Sequence, residues 1–245
     1  MGNYFNVNLE FNHPHIHDVI TGYAGRKEKG YICVVDANVL TMAQKDKEYL
    51  EVLNTSTINT CDGGSIAALA GFIHKKSFRA LNGPELFSHY IEKLQYKQLL
   101  LGSSEKVSGE IKNVLAEKGF DNQHLQVMSL PFLPVEQFDY PAIANEINLI
   151  QPDIIWVSLG APKQEIFMSK ILPFLNQGFM FGIGAAFNFY IGKIELPRFK
   201  IGAFRFIWLS RLIAEPKKLF SRLIGYILLL PELYLTERRK VRKFE

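Results

Sequence analysis

Long apolar runs are missing from this chain of 245 residues. A helix needs about 20 consecutive apolar residues to cross a bilayer, and the longest candidate, residues 223–230, stops at Pro231-Glu232. No membrane span is therefore expected. Cysteine is scarce as well. Cys33 lies in an apolar run and Cys61 beside an acid, which suggests no disulfide framework and fits a reducing compartment. The opening MGNYFNVNLEF alternates polar and apolar residues and lacks the basic start and apolar stretch of a secretory signal. There is no internal repeat and no low-complexity linker.

Two nucleotide fingerprints are also absent. No Walker A loop occurs, and the dinucleotide fingerprint needs three glycines as G-x-G-x-x-G after a first strand. Gly182-Ile183-Gly184 supplies two of them, late in the chain, with Phe187 where the third belongs. His13, His15 and His17 read as a surface loop rather than a metal site. No metal and no cofactor is expected.

What is present is a division of charge. Residues 1–196 hold 16 Lys and Arg against 20 Asp and Glu, a net −4; residues 197–245 hold 12 against 4, a net +8. Such asymmetry marks a functional boundary, with a basic segment facing an anionic partner. Apolar residues make up 48% of the chain, enough for a folded core. Short apolar runs alternate with helical patterns, the signature of a mostly parallel α/β sheet with helices on both faces. Strands are expected at 31–35, 98–101, 154–159 and 179–182. Helices are expected at 40–53, from the Ser103-Ser104 caps to about Lys118, and from Lys163 after Pro162.

The strand ends carry small or polar residues: Asp36-Ala37-Asn38, Gly102-Ser103-Ser104, Gly160-Ala161-Pro162 and Gly184-Ala185-Ala186-Phe187-Asn188. In open α/β sheets ligands bind outside the carboxyl ends of the strands, where helix N-termini offer N–H groups to phosphates. One such glycine often marks only a tight turn. Several converging on one edge point to a nucleotide site.

Four strings reach further: Asn59-Thr60-Cys61-Asp62-Gly63-Gly64, Arg79-Ala80-Leu81-Asn82-Gly83-Pro84-Glu85-Leu86-Phe87, Val157-Ser158-Leu159-Gly160-Ala161-Pro162-Lys163-Gln164-Glu165, and Gly182-Ile183-Gly184-Ala185-Ala186-Phe187-Asn188. With Ala37-Asn38 before them, and Trp208-Leu209-Ser210-Arg211-Leu212 and Glu215-Pro216 after, their order and spacing resemble the WecG/TagA/CpsF family of bacterial glycosyltransferases, glycosyltransferase family 26. The resemblance runs from about residue 30 to 222. It implies a Rossmann-like core, residues 1–195, and a C-terminal helical membrane-associating appendage, residues 196–245. It also implies metal-independent, inverting transfer of a hexosamine, N-acetylmannosamine or its uronate, from a UDP-sugar. The acceptor would be a polyprenyl-diphosphate-linked sugar, in surface polysaccharide or teichoic acid assembly. Location would be cytoplasmic, peripheral on the inner face of the cell membrane.

By that resemblance Asp62 is the catalytic base, and Asn38, Arg79 and Gln164 line the active site. Gly83, Gly102, Gly160, Lys163, Gly184 and Asn188 are the further candidates for binding substrate or nucleotide. Inverting transfer needs one carboxylate to take the acceptor hydroxyl's proton. By itself Asp62-Gly63 also fits an ordinary Asp-Gly turn, and Arg79 a solvated cation in a basic stretch. Metal-dependent transferases commonly carry an Asp-x-Asp pair, and none occurs here. Arg79, helix N-termini and Lys163 are then left to stabilise the leaving diphosphate. Two residues depart from the family pattern: Asp36 stands where many members have Thr, and Asn188 where Asp is usual. Both leave the donor open, with UDP-glucose or UDP-glucuronate as the runner-up. A non-catalytic nucleotide-binding partner of a biosynthetic complex is the alternative from another class.

Residues 204–235 interleave aromatics, leucines and cations, the composition of a helix lying in a membrane interface. A core-packing helix with a basic outer face and a nucleic-acid patch are its rivals; the leucine content disfavours nucleic acid. The resemblance places Arg211, Lys218 and Arg222 on the acceptor's diphosphate or the membrane. Apolar tail surface must be hidden away from a membrane, so self-association into a homo-oligomer is an expectation too. The terminal run from Arg238 to Lys243 reads as a flexible anchor for anionic lipid. Deleting residues 238–245 is expected to weaken binding to phosphatidylglycerol-containing vesicles several-fold and to make it less salt-dependent. Equal binding by the shortened chain in a sedimentation assay would assign those cations elsewhere.

Overall fold

The computed structural model describes residues 1–194, 200–201, 204–205 and 216–242. It begins with a hairpin, β1 (Gly2–Tyr4) and β2 (Val7–Leu9), followed by α1 (His13–Gly25) and β3 (Lys29–Val35). Next come α2 (Ala37–Lys45), α3 (Lys47–Asn54), β4 (Ile58–Cys61), α4 (Gly64–His74), α5 (Gly83–Ile91) and β5 (Gln98–Leu101). Then follow α6 (Glu105–Glu117), β6 (Leu125–Met128), α7 (Tyr140–Ile150), β7 (Ile154–Val157), α8 (Lys163–Ile171), β8 (Gly178–Gly182) and α9 (Ala186–Tyr190). Two short strands, β9 (Lys200–Ile201) and β10 (Phe204–Arg205), pair antiparallel, and α10 (Pro216–Arg242) follows them.

Six strands form one sheet in the order β4-β3-β8-β7-β5-β6, every neighbouring pair parallel. Sheets of this kind need cover on both faces. Alternate residues of each strand supply the two layers. Cys33, Val35, Leu99, Leu101, Ile155, Val157 and Met180 face a core completed from α2, α4, α7 and α8. Ile32, Val34, Leu100, Ile154, Trp156, Phe179 and Phe181 face one completed from α1, α5, α6 and α9. The four expected strands are present, the third ending at Val157 rather than Leu159.

Three expectations are corrected. The single helix over 40–53 is two, because Asp46 leaves helical geometry (φ −130°, ψ 110°) and its carboxylate accepts from Tyr49 N as the cap of α3. His13, His15 and His17 are not in a loop. Asn12 accepts from His15 N, Pro14 sits where a missing N–H costs nothing, and the three lie in the first turns of α1. The basic terminal run, expected to be flexible, is helical through Arg242.

That last helix is tied to the core at its far end. Leu229, Leu233 and Glu237, four residues apart, form its buried face, and α10 packs on α2 and α4. Glu237 Oε2 accepts from Phe5 N at 2.9 Å, within the hairpin turn where Phe5 and Asn6 have φ of 52° and 66°. Its Oε1 lies 3.0 Å from His74 Nε2 on α4, and Lys240 reaches both Glu237 and Asn6. If this docking is part of the fold, Leu233→Ala should cost roughly 2–5 kcal/mol by urea denaturation, the range for truncating a buried leucine. A cost below about 0.5 kcal/mol would mean the helix is not held against the core.

Candidate active site

Level strand ends collect the loops on one edge of the sheet: Val35 pairs with Cys61, and Gly182 with both Cys33 and Val157. Directly after β3, Asp36 caps α2, its Oδ1 accepting from Val39 N at 2.8 Å. Thr and Asp both make good N-caps, so the cap survives the exchange. Asn38 follows in the first turn of α2, half-buried, with its amide 4.0 Å from the Met42 sulfur.

Asp62 comes one residue past β4. Its N–H donates to Val35 O at 2.9 Å, which continues the sheet ladder, and its Oδ1 accepts from Gly83 N at 2.9 Å. Gly83 opens α5, Gly63 caps α4, and Leu81 N donates to Cys61 O. The carboxylate is thus fixed between the N-termini of two helices, where partial positive charge gathers. A few residues before, Arg79 is exposed; its carbonyl oxygen lies 3.1 Å from His13 Nε2, and its guanidinium has no carboxylate partner among the described residues.

The remaining turns follow β5, β7 and β8. Gly102 leaves room for Leu159, whose Cδ2 would lie 2.7 Å from a Cβ at that position. Gly160 and Gly184 hold φ of +75° and +50°, values that favour glycine. Gln164 bridges these two turns: its Oε1 accepts from Gly160 N and from Gly184 N, each at 3.1 Å. Ser158 Oγ donates to Gly184 O at 2.9 Å and ties the same turns a second time. Asn188 is half-buried on α9 just beyond them.

Two expected site residues make contacts within the fold. Gln164 is 4% exposed, its amide turned into the fold as a brace between loops. Lys163 points its ammonium to the Leu133 carbonyl in the loop after β6 and lies 4.9 Å from the Phe138 ring centroid. Arg211 lies outside the described residues, as do the side chains of Lys218 and Arg222. No group of three or more His, Cys, Asp or Glu among the described residues could hold a metal ion. A cavity of about 520 Å³ between the N-terminal hairpin and residues 76–78 is lined by Tyr4, Phe11 and Phe78, and by none of the strand-end residues.

One residue was passed over in the sequence. Glu165 is fully buried, accepting from Gln164 Nε2 at 2.8 Å and from the Tyr49 hydroxyl at 3.1 Å. Burial pushes its carboxyl up to about 7, with hydrogen bonds from Gln164 and Tyr49 opposing and the Asp36 charge adding to the rise. The signal was helical spacing: Gln164, Phe167, Met168 and Ile171 are all buried, which puts Glu165 on the inner face of α8.

A model of the glycosyl transferase WecG/TagA/CpsF family matches residues 5–243. The match extends past the stretch of resemblance at both ends and takes in the terminal basic run. Among individual proteins, the chain is 22% identical over 216 residues to a Bacillus subtilis protein, covering 84% of this chain and 82% of that one. It is 24% identical over 203 residues to one from Bacillus spizizenii (81% and 76%), and 19% over 196 residues to one from Staphylococcus aureus (77% and 74%). Each is named an N-acetylglucosaminyldiphosphoundecaprenol N-acetyl-beta-D-mannosaminyltransferase.

The buried acid makes stability depend on pH. The unfolded chain loses this proton near 4.5 and the folded chain near 7, so between those values the folded state binds more protons and stability falls as pH rises. Glu165→Gln removes the effect. In urea at pH 8 that variant should exceed the parent by up to about 3 kcal/mol, the gap closing toward pH 5. A gap that stays constant with pH would show that Glu165 does not titrate in this range.

Proposed function

Because the chain belongs to the WecG/TagA/CpsF family of glycosyltransferases, we propose that it moves N-acetylmannosamine, or its uronate, from UDP to a polyprenyl-diphosphate-linked sugar. The observation that carries this reading is Asp62, held by Gly83 N at the strand edge between the N-termini of α4 and α5. A carboxylate there takes the proton of the acceptor's attacking hydroxyl. The new bond forms between that oxygen and the anomeric carbon as the bond to the β-phosphate oxygen breaks. The electron pair leaves with UDP, and the anomeric centre inverts.

Departing diphosphate charge must be met at the same edge. Arg79 supplies a full positive charge, and the helix N-termini supply N–H dipoles. No step in this scheme needs a metal ion. Asn38 and Asn188 have amides able to pair with sugar or uracil groups.

The acceptor is a lipid, which places the enzyme at a membrane. Among the described residues no helix is long and apolar enough to cross one. Instead α10 exposes Ile224, Ile227, Leu228 and Leu235, away from its buried Leu229–Leu233–Glu237 face. An apolar outer face beside a basic segment suits peripheral attachment to anionic lipid. We assign the protein to the cytoplasmic side of the membrane, where nucleotide sugars would reach it, with self-association a second way to cover that face.

Asp62→Asn separates catalysis from binding. UDP release from a panel of UDP-sugars, with a short-chain polyprenyl-diphosphate–GlcNAc acceptor, should be highest for UDP-N-acetylmannosamine or its uronate and unaffected by EDTA. It should fall at least about 100-fold in the variant, while UDP binding by calorimetry changes little. Undiminished release would remove Asp62 as the base. Preference for UDP-glucose or UDP-glucuronate would overturn the proposed donor, and UDP binding with no release from any donor would favour a non-catalytic partner.

A further inference from the structure

One side-chain oxygen, Gln164 Oε1, receives two backbone N–H groups from separate turns, Gly160 after β7 and Gly184 after β8. Two donors aimed at one atom fix which end of the amide faces them. The NH₂ end must then find an acceptor on the other side, in the interior, since Gln164 is 4% exposed. Glu165 Oε1 is that acceptor at 2.8 Å, and the Tyr49 hydroxyl on α3 holds the other carboxyl oxygen at 3.1 Å. Turning the amide over would set oxygen against oxygen at Glu165 and NH₂ against two N–H groups at the glycines. Every alternative leaves buried polar groups unpaired.

Resting on the donor site proposed above, we infer that Glu165 is a positioning residue: by fixing the Gln164 amide it holds the β7 and β8 turns at the spacing that receives the donor's diphosphate. It touches no substrate. The brace works in either protonation state. Oε1 accepts from Gln164 throughout, while Oε2 either accepts the Tyr49 hydroxyl hydrogen or donates its own. An amide at position 165 can do the same, its oxygen facing Gln164 and its NH₂ facing Tyr49 Oη. Methionine, of similar length, can do neither.

Hydrogen exchange at the Gly160 and Gly184 amides, read by NMR on the full chain, tests the brace without any ligand. In Glu165→Met both amides should exchange about tenfold faster or more, relative to amides of β5. In Glu165→Gln they should stay within about threefold of the parent. Unchanged exchange in Glu165→Met, or equal loosening in Glu165→Gln, overturns the inference. Should Glu165→Met fail to fold, Tyr49→Phe takes its place, with an expected rise of roughly threefold at both glycines, and no change there overturns the inference as well. A UDP titration of the same proteins reads the consequence: affinity about tenfold weaker in Glu165→Met and close to the parent in Glu165→Gln supports the positioning role. Looser glycines with UDP affinity unchanged overturn that role while the brace stands. A parent chain that binds no UDP overturns the reading of the donor site itself.

Discussion

Every chemical feature of this chain depends on six strands running parallel with their ends level. Parallel neighbours send all carboxyl ends to one edge, and the pairings of Val35 with Cys61 and of Gly182 with Cys33 and Val157 align those ends to within two residues. Only then can Asp62, one step past β4, donate to Val35 O and accept from the first residue of α5. The direct pairing of Val157 with Gly182 likewise lets one glutamine reach the turns of two strands. The register is enforced from both sides, because a slip of one residue would turn Ile32, Val34, Trp156 and Phe181 out of one core and Cys33, Val35 and Val157 out of the other. The site inherits its precision from apolar packing well below it.

How much of this could be read from residues alone follows from what each segment buries. Continuous apolar runs such as Ile154–Val157 and Gln98–Leu101 identify themselves, because a central strand covered on both faces has no polar side. β4 does not. Its Ile-Asn-Thr-Cys pattern looks half polar, yet Asn59 is fully buried, its amide donating to Asn8 O and Leu53 O and accepting from Ser56 Oγ. Ser56 and Leu53 are close in the chain, but Asn8 comes from the hairpin 51 residues away, and the burial that this contact completes has no local pattern. The break at Asp46 was available in principle, since an acid three residues before Tyr49 is a cap signal, but the apolar spacing across it masked the stop. Within the site, the strings of glycine and acid located the edge correctly. They could not tell inward from outward: Gln164 and Lys163 are adjacent in sequence, and one braces the turns while the other leaves for the Leu133 carbonyl.

The basic C-terminal segment shows the same limit of composition. Counting charge predicts a cationic surface, and Arg238, Arg239 and Arg242 are indeed exposed. The contact that holds the helix is instead an acid, Glu237, which is 1% exposed and carries three partners from the hairpin turn, α4 and its own helix. A buried carboxylate needs such partners to offset its lost hydration. The hairpin turn, with two residues at positive φ, offers the Phe5 N–H at the required place. The far end of α10 is therefore pinned, and the apolar outer face at Ile224, Ile227 and Leu228 stands on the stretch nearer its start.

Charge balance at the strand edge links the two halves of the chain. Asp36 caps α2 and keeps its negative charge, the Lys163 ammonium rests on the β6–α7 loop, and Asn188 brings no charge. On the proposed reaction the core side then meets a diphosphate with Arg79 and the dipoles of helix N-termini. Those dipoles orient phosphate well, but each carries only a fraction of a unit charge. The remaining compensation has an obvious reservoir in residues 197–245, net +8, beside a core that is net −4. On that reading the enzyme would complete its charge with the basic segment near the edge, and the same segment is the part whose composition suits anionic lipid. Catalysis and membrane contact would then draw on one set of cations, which couples turnover to the surface where the acceptor resides.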